Sequence, residues 1–170
     1  IIYCAIGFNL MYPGEWIIEG ILGSPVPGLD AEAAADLGYN EGYTYWTDFL
    51  FQGMFAATAA TIISGAVAER IKISSFMLIA ILYVAIVYPI VGSWQWGGGF
   101  FSTLTEEVGF YDFAGSTLVH AVGGWGALVV IYFLGARKGR FGKDGGTIPG
   151  SNIPLSAAGV MTVSYTHLTL

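Results

Sequence analysis

The stretch DFAGSTLVHAVGGWGALVVIYFLGARKGR, residues 112–140, decides the fold. Residues 113–136 are apolar or small except for one histidine, His120, and a cluster of Arg and Lys follows them. A helix that crosses a bilayer needs about 20 consecutive apolar residues. The stretch therefore predicts a transmembrane helix over residues 113–136 that places an imidazole within the membrane.

Two further apolar runs predict spans over residues 46–68 and 73–92, and Asp48 interrupts the first of them near its start. Residues 1–11 are apolar but too few to cross, and we expect them to be the outer end of a helix that begins before residue 1. The stretch LDAEAAADLG predicts a short surface helix between Asp30 and Gly38 within a long loop. Residues 154–163 begin another helix, and the residues after them do not continue the apolar run.

The composition supports a membrane protein. Hydrophobic residues make up 55% of the 170 residues and charged residues 11%, and the mean hydropathy is +0.65. A soluble domain of this length carries about 25% charged residues. The sequence therefore predicts an all-α integral membrane protein.

The charges alternate along the chain and predict its orientation. All six basic residues follow the first and third predicted spans, whereas most acidic residues lie in the other connections. The basic residues are Arg70, Lys72, Arg137, Lys138, Arg140 and Lys143. By the positive-inside rule, the basic loops are cytoplasmic and the acidic connections face outside. The net charge of −6 is thus a property of the outer surface, and no nucleic-acid partner is expected.

On a regular helix, Asp112, Ser116, His120, Gly123 and Ala127 share one face, which is otherwise small or hydroxylic. Such a face leaves room for a substrate path or for the close approach of another helix. His120 could form an interhelical hydrogen bond or mark a substrate or proton path, as ionisable residues in membranes often do. Asp112 could cap the helix through its carboxylate, favour a cation at the outer mouth, or do both.

Four aromatic residues are further candidates. Phe51 and Phe55 lie one helical turn apart, where ordinary packing is the simplest interpretation. Trp94 and Trp96 lie at a predicted membrane interface, where tryptophan often serves as an anchor. The face of an indole ring can also bind a desolvated cation.

The sequence gives no sign of an enzyme. It contains no phosphate-binding GxxxxGK[ST] loop, no GxSxG motif and no pair of residues at metal-ligand spacing. Its one cysteine, Cys4, cannot form an internal disulfide. No cofactor and no metal are expected.

Several stretches in one order resemble the ammonium transporters of the Amt/Mep/Rh family, and the Amt branch in particular. They are FQGMFAATAATIISGAVAERIKISSF, YPIVGSWQWGGGF, DFAGSTLVHAVGGWGALVVIYFLGARKGRFG and SNIPLSAAGVM, and IIYCAIGFNLMYPGE resembles the end of the family's second helix. The resemblance covers about residues 51–162 and indicates a function. It implies transmembrane transport of ammonium or ammonia through a hydrophobic pore.

The resemblance also implies roles for single residues. Phe51 and Phe55 match the family's phenylalanine gate region, and Trp96 matches the tryptophan that helps to hold ammonium at the outer site. Asp112 matches the aspartate beneath that site, and His120 matches the first histidine of the pore pair. His167 is not expected to be its partner.

Members of this family have about eleven spans in two inverted repeats. We therefore expect the chain to be an N-terminal-half fragment of such a transporter. Residues 1–163 would hold the end of the second helix, helices three to five and the start of helix six. Residues 164–170 resemble a translated adapter sequence and are expected to be a non-native tail.

The family also implies partners and an alternative function. It implies a homotrimer in the plasma or inner membrane, with a possible regulator of the P-II type at cytoplasmic loops that include residues 137–146. The alternative is an ammonium sensor, in which a similar membrane module controls a downstream signalling domain.

Overall fold

The computed structural model describes residues 1–25, 42–108, 110–141, 145–150 and 152–168, with the backbone alone over 105–108 and 163–168. The chain forms two compact units, Ile1–Leu134 and Gly135–Leu170. The helix predicted between Asp30 and Gly38 lies outside the described residues.

Three helices of the first unit are long and apolar enough to cross a membrane: α2 (Tyr45–Val67), α3 (Ile73–Ser93) and α5 (Ser116–Leu134). The predicted spans over 46–68 and 73–92 are thus confirmed to within a residue or two at each end. The third helix begins three residues later than predicted. The residues before Ser116 form a separate turn, described below.

Helix α1 consists of a π-helical turn, Tyr3–Gly7, followed by an α-helical turn, Phe8–Met11. Its side chains form much of the core, in which Phe8 and Met11 are fully buried beside Tyr88 of α3. The helical character predicted for residues 1–11 is therefore confirmed.

The connection from α1 to α2, predicted as a loop, contains a small antiparallel hairpin of β1 (Trp16–Ile18) and β2 (Leu22–Gly23). Gly20 occupies its turn with a φ of +69°, a value that suits glycine. The connection between α3 and α5 likewise contains α4, Phe100–Val108. Hydropathy did not reveal either element, because both are short and lie outside the apolar runs.

The ends of α2 have clear local causes. Thr44 precedes the helix in an extended conformation, and its side chain accepts a hydrogen bond from the backbone N–H of Thr47 at 3.3 Å. At the other end, Glu69 adopts a left-handed φ of +68°. The guanidinium of Arg70 donates to the carbonyl of Ala66 at 2.9 Å, so a basic residue occupies the negative end of the helix dipole.

Helices α2 and α5 make the most extensive packing between spans. At Gly123, a Cβ atom would lie 2.9 Å from the carbonyl oxygen of Ala59 and 3.0 Å from Cβ of Ile62. Only glycine allows this approach, as is common where helices pack within membranes. The outward sides of the spans keep large apolar residues exposed, among them Leu50, Met77, Trp125 and Phe133. Such surfaces are suited to lipid.

The second unit contains α6, Ile153–Leu168. The side-chain oxygen of Asn152 accepts a hydrogen bond from the backbone N–H of Leu155 at 2.9 Å and so caps the start of the helix. The backbone stays helical through Leu168, five residues past Val163. The apolar part of the helix ends at Thr162, so the apolar run ends near Val163 as predicted.

Candidate functional site

The site is built around Asp112, which lies in the turn before α5. Asp112 is 5% exposed, and its carboxylate accepts four backbone hydrogen bonds. One oxygen accepts from the N–H groups of Gly115 and Ser116 at 2.8 and 3.0 Å, and the other accepts from Thr117 and Leu118 at 2.8 and 2.7 Å. Asp112 therefore satisfies the N–H groups that the first turn of a helix leaves unpaired.

Because of this turn, the prediction that Asp112 shares one helical face with Ser116, His120, Gly123 and Ala127 is wrong. Asp112 precedes α5 and is not part of it, and Gly115 interrupts the backbone with a φ of +87°. The first six residues of α5, Ser116–Ala121, then form a π-helical segment. A π turn holds more residues than an α turn, so the spacing of 3.6 residues per turn does not apply across Ser116–Ala121.

The residues of the predicted face consequently separate. Gly123 and Ala127 are buried, and Gly123 contacts α2 as described above, whereas His120 is exposed. The small residues were expected to leave room either for a substrate path or for the close approach of another helix. At Gly123 the structure shows the close approach of a helix. His120 lies apart from this packing.

The imidazole of His120 is oriented by the same turn. Its Nδ1 lies 3.3 Å from the carbonyl oxygen of Gly115. That oxygen also accepts from the backbone N–H groups of Val119 and His120, both at 2.9 Å. A carbonyl can only accept, so a hydrogen bond at this position needs a proton on Nδ1.

Trp96 lies against the turn from the other side. Its indole N–H donates to the backbone carbonyl of Asp112 at 2.9 Å. A Cβ atom at Gly115 would lie 3.2 Å from Cη2 of the indole. The ring face is the part of Trp96 that can attract a cation, since the indole N–H only donates and is engaged by this carbonyl.

Helix α2 contributes the two phenylalanines. The ring of Phe55 lies 5.9 Å from that of Trp96, between centroids, and the ring of Phe51 lies 4.7 Å from that of Phe55 at 87°. Edge-to-face contact of this kind is a favourable aromatic geometry. Phe51 is 44% exposed, whereas Phe55 is half-buried.

Trp94, the other tryptophan of the turn, belongs to a different cluster. Its indole N–H donates to the carbonyl of Ile21 in the hairpin at 2.9 Å, and its ring contacts Phe100 and Phe101. Trp94 and Trp96 are thus only two residues apart, yet they contact different parts of the chain. Only Trp96 joins the site.

The structure brings all five predicted residues into one continuous set of contacts. Phe51 contacts Phe55, Phe55 contacts Trp96, Trp96 binds the backbone of Asp112, and the turn held by Asp112 contacts His120. The sequence reading missed Gly115, whose positive φ shapes this turn. A glycine between an aspartate and a hydroxylic helix start was the one available signal.

It also missed Tyr83, whose hydroxyl donates to the carbonyl of Val122 in α5 at 2.5 Å. The side chain is buried between spans. No sequence motif marks this tyrosine, because the contact joins residues 39 positions apart.

Comparisons with known proteins agree with this architecture. The sequence profile described as Ammonium Transporter Family matches residues 1–165. A putative ammonium transporter of Synechocystis is 50% identical over 126 residues, which cover 69% of this chain and 23% of the relative. Ammonium transporter Amt2 of Archaeoglobus fulgidus is 40% identical over 171 residues, covering 96% of this chain and 35% of the relative.

A solved structure titled Sensor Amt Protein is also similar. It has a TM-score of 0.74 and 33% sequence identity, and the match covers 94% of this chain and 39% of that one. The matches thus cover 23% to 39% of the length of these proteins. With three span-length helices and this profile match, it is a multi-pass membrane protein and belongs to the Ammonium Transporter Family.

Proposed function

We propose that the chain forms part of a transporter that moves ammonium or ammonia across the membrane. The observation that carries this proposal is the continuous contact from the Phe51–Phe55 pair through Trp96 to the turn of Asp112 and His120. It joins an aromatic surface, a buried carboxylate and an exposed imidazole near the ends of spans that the charge pattern assigns to the outside.

Recruitment of the cation would depend on the aromatic rings. An ammonium ion over the face of Trp96 would gain about 0.5–2 kcal/mol from the cation–π interaction. The negative charge of Asp112 adds a favourable field through a medium of low dielectric constant. Because four backbone N–H groups occupy its oxygens, Asp112 would act on the ion through space and would not be a direct ligand.

Selectivity would come from the chemistry of the ion. Potassium and ammonium are similar in size, but only ammonium can release a proton. An apolar path disfavours any species that keeps its charge, since a charge within the membrane is expensive. The path beyond Phe55 would therefore favour ammonia over potassium.

His120 would accept a hydrogen bond from the substrate or relay its proton. With a proton on Nδ1 directed to the carbonyl of Gly115, Nε2 of a neutral imidazole would provide a lone pair. Imidazole is suited to this role because its two ring nitrogens can donate and accept a proton.

The test is methylammonium uptake by the protein expressed from its complete coding sequence in a transporter-deficient strain. We expect uptake that is unaffected by excess potassium, and a change in rate or in potassium selectivity for His120→Ala. An unchanged rate and selectivity in that variant would show that His120 takes no part in transport. Absence of uptake by the wild-type protein would remove the transport proposal itself.

An ammonium sensor is the second candidate function, and the similarity to the structure titled Sensor Amt Protein favours it. In a sensor, the same membrane module would control a signalling domain. Sequencing the source DNA through its 3′ end distinguishes the two. A kinase or cyclase domain in frame after the membrane region would support a sensor, whereas a second repeat alone would support a transporter.

The remaining features follow from family membership and are proposals as well. They are the eleven-span architecture with inverted repeats, a homotrimer in the plasma or inner membrane, and docking of a P-II type regulator on cytoplasmic loops that include residues 137–146. Residues 1–163 would be the native part of the membrane domain, and residues 164–170 a non-native tail. The same sequencing experiment tests the tail directly.

A further inference from the structure

Tyr83 forms a polar link between two spans close to the candidate pore histidine. It begins the π-helical segment Tyr83–Val87 of α3, and its hydroxyl donates to the backbone carbonyl of Val122 at 2.5 Å. The side chain is 9% exposed. A buried phenolic hydroxyl needs a partner, and in an apolar environment this bond is expensive to break.

The accepting carbonyl lies at a particular place in α5. Val122 is the first residue after the π-helical segment Ser116–Ala121, where the backbone returns to α-helical geometry. Such a junction shifts the register of the hydrogen bonds along the helix, and π segments are often found at functional sites. The hydroxyl of Tyr83 thus donates to α5 at the residue that follows the π segment.

A glycine in α5 leaves room for the ring of Tyr83. A Cβ atom at Gly126, one turn beyond Val122, would lie 2.9 Å from Cε2 and Cζ of Tyr83. Any larger residue at 126 would push the ring away from the carbonyl. Tyr83 and Gly126 therefore act together to bring the hydroxyl to the backbone of α5.

His120 lies between two fixed points. On one side, Asp112 binds the backbone N–H groups that begin the π segment, and the carbonyl of Gly115 contacts the imidazole Nδ1. On the other side, two residues after His120, the hydroxyl of Tyr83 binds Val122. His120 thus lies between one contact within the turn and one from a separate span.

We propose that Tyr83 is a positioning residue for His120, which it holds in register through its hydrogen bond to Val122. This inference rests on the transport function proposed above. It predicts that the hydroxyl of Tyr83 affects transport only while the imidazole is present. Tyr83 itself does not touch the substrate.

The test is a double-mutant cycle in the protein expressed from its complete coding sequence and reconstituted in liposomes. The variants are Tyr83→Phe, His120→Ala and both together, with His120→Gln replacing alanine if that variant shows no flux. Flux of methylammonium and of potassium is measured per amount of monodisperse protein. Incorporation of 4-fluorophenylalanine at position 83 provides a second variant that fills more of the space of the hydroxyl.

Tyr88→Phe is the matched control. Its hydroxyl is also buried in α3, and it has no hydrogen-bond partner among the residues that the structure describes. Loss of a buried hydroxyl from the span is therefore reproduced without loss of the link to Val122.

We expect Tyr83→Phe to lower methylammonium flux, or its ratio to potassium flux, by about threefold to tenfold, the range of one lost hydrogen bond. The same change should have no further effect when His120 is absent, and Tyr88→Phe should stay within about twofold of wild type. An equal loss with and without His120 would assign Tyr83 to packing alone and overturn the inference. An effect of His120→Ala with none of Tyr83→Phe would overturn it while the proposed function stands, whereas no flux in the wild type would overturn both.

Discussion

The indole N–H of Trp96 binds the backbone carbonyl of Asp112 at 2.9 Å, while the carboxylate of the same aspartate binds four N–H groups of the following turn. One residue thus joins the aromatic surface to the start of α5. Its backbone orients the indole, and its side chain orders the segment that carries His120. The aromatic site and the imidazole are therefore not independent features.

Replacement of Trp96 by leucine should weaken recruitment of the substrate. The variant loses the ring face that can hold a cation, a contribution of about 0.5–2 kcal/mol, and its KM for methylammonium should rise roughly twofold to thirtyfold. The maximal rate should change less. Uptake measured over a wide range of substrate concentration separates the two effects.

Trp94→Leu is the control for that experiment, because Trp94 lies two residues away but binds the hairpin at Ile21. Its KM should stay close to that of the wild type. If both variants raise KM by the same factor, the tryptophans act as interface anchors and Trp96 has no special role in recruitment.

Replacement of Asp112 by alanine should destabilise the protein strongly. It leaves up to four backbone N–H groups at the start of α5 without their acceptor, and even one such loss costs about 1–3 kcal/mol. We expect a loss of about 3 kcal/mol or more, seen as a lower thermal unfolding midpoint in detergent.

Asp112→Asn distinguishes the two roles of this carboxylate. Its side-chain oxygen can still accept from the turn, so it should recover part of the stability, but it carries no charge. If transport at low substrate is restored along with stability, the charge of Asp112 contributes nothing to recruitment. A stable variant with weakened uptake at low substrate would support the electrostatic role.

The sequence predicted the spans well because their signal is physical and local. Apolar runs of about 20 residues must bury themselves in lipid, and the ends of residues 46–68 and 73–92 coincide with changes in composition. The start of α5 was predicted less well. There the apolar run includes Phe113 and Ala114, yet the carboxylate of Asp112 and the positive φ of Gly115 delay the helix until Ser116.

The site itself was partly predictable. Its five residues were candidates from their type and position, the resemblance to a family gave them roles, and the structure adds how they touch. Hydropathy could not reveal that His120 lies away from Gly123, because α5 begins with a π-helical segment that shifts the helical period. Nor could it reveal the contact between Tyr83 and Val122, which depends on tertiary packing alone.

The 170-residue chain, expressed alone, should not restore ammonium-dependent growth to a transporter-deficient strain. It spans only 23% and 35% of two transporters that it resembles, and His120 is exposed in its structure. An imidazole facing lipid is unfavourable and lines no closed path. Growth equal to that of a strain with a complete transporter would contradict this expectation.

Replacement of Gly115 by alanine should disrupt the site while leaving most of the fold unchanged. At a φ of +87°, a side chain is strained, and the new Cβ would lie 2.5 Å from Cγ2 of Val119 and 3.2 Å from the indole of Trp96. We expect a loss of stability of about 1–3 kcal/mol together with a raised KM, since the indole must move.

Gly124→Ala is the control, because Gly124 lies within the regular part of α5 with no described atom within 4 Å of the new Cβ. That variant should be neutral or slightly more stable, as alanine favours the helix. Thermal unfolding and methylammonium uptake of the two variants decide the matter. Equal effects would mean that glycine at 115 has no special conformational role.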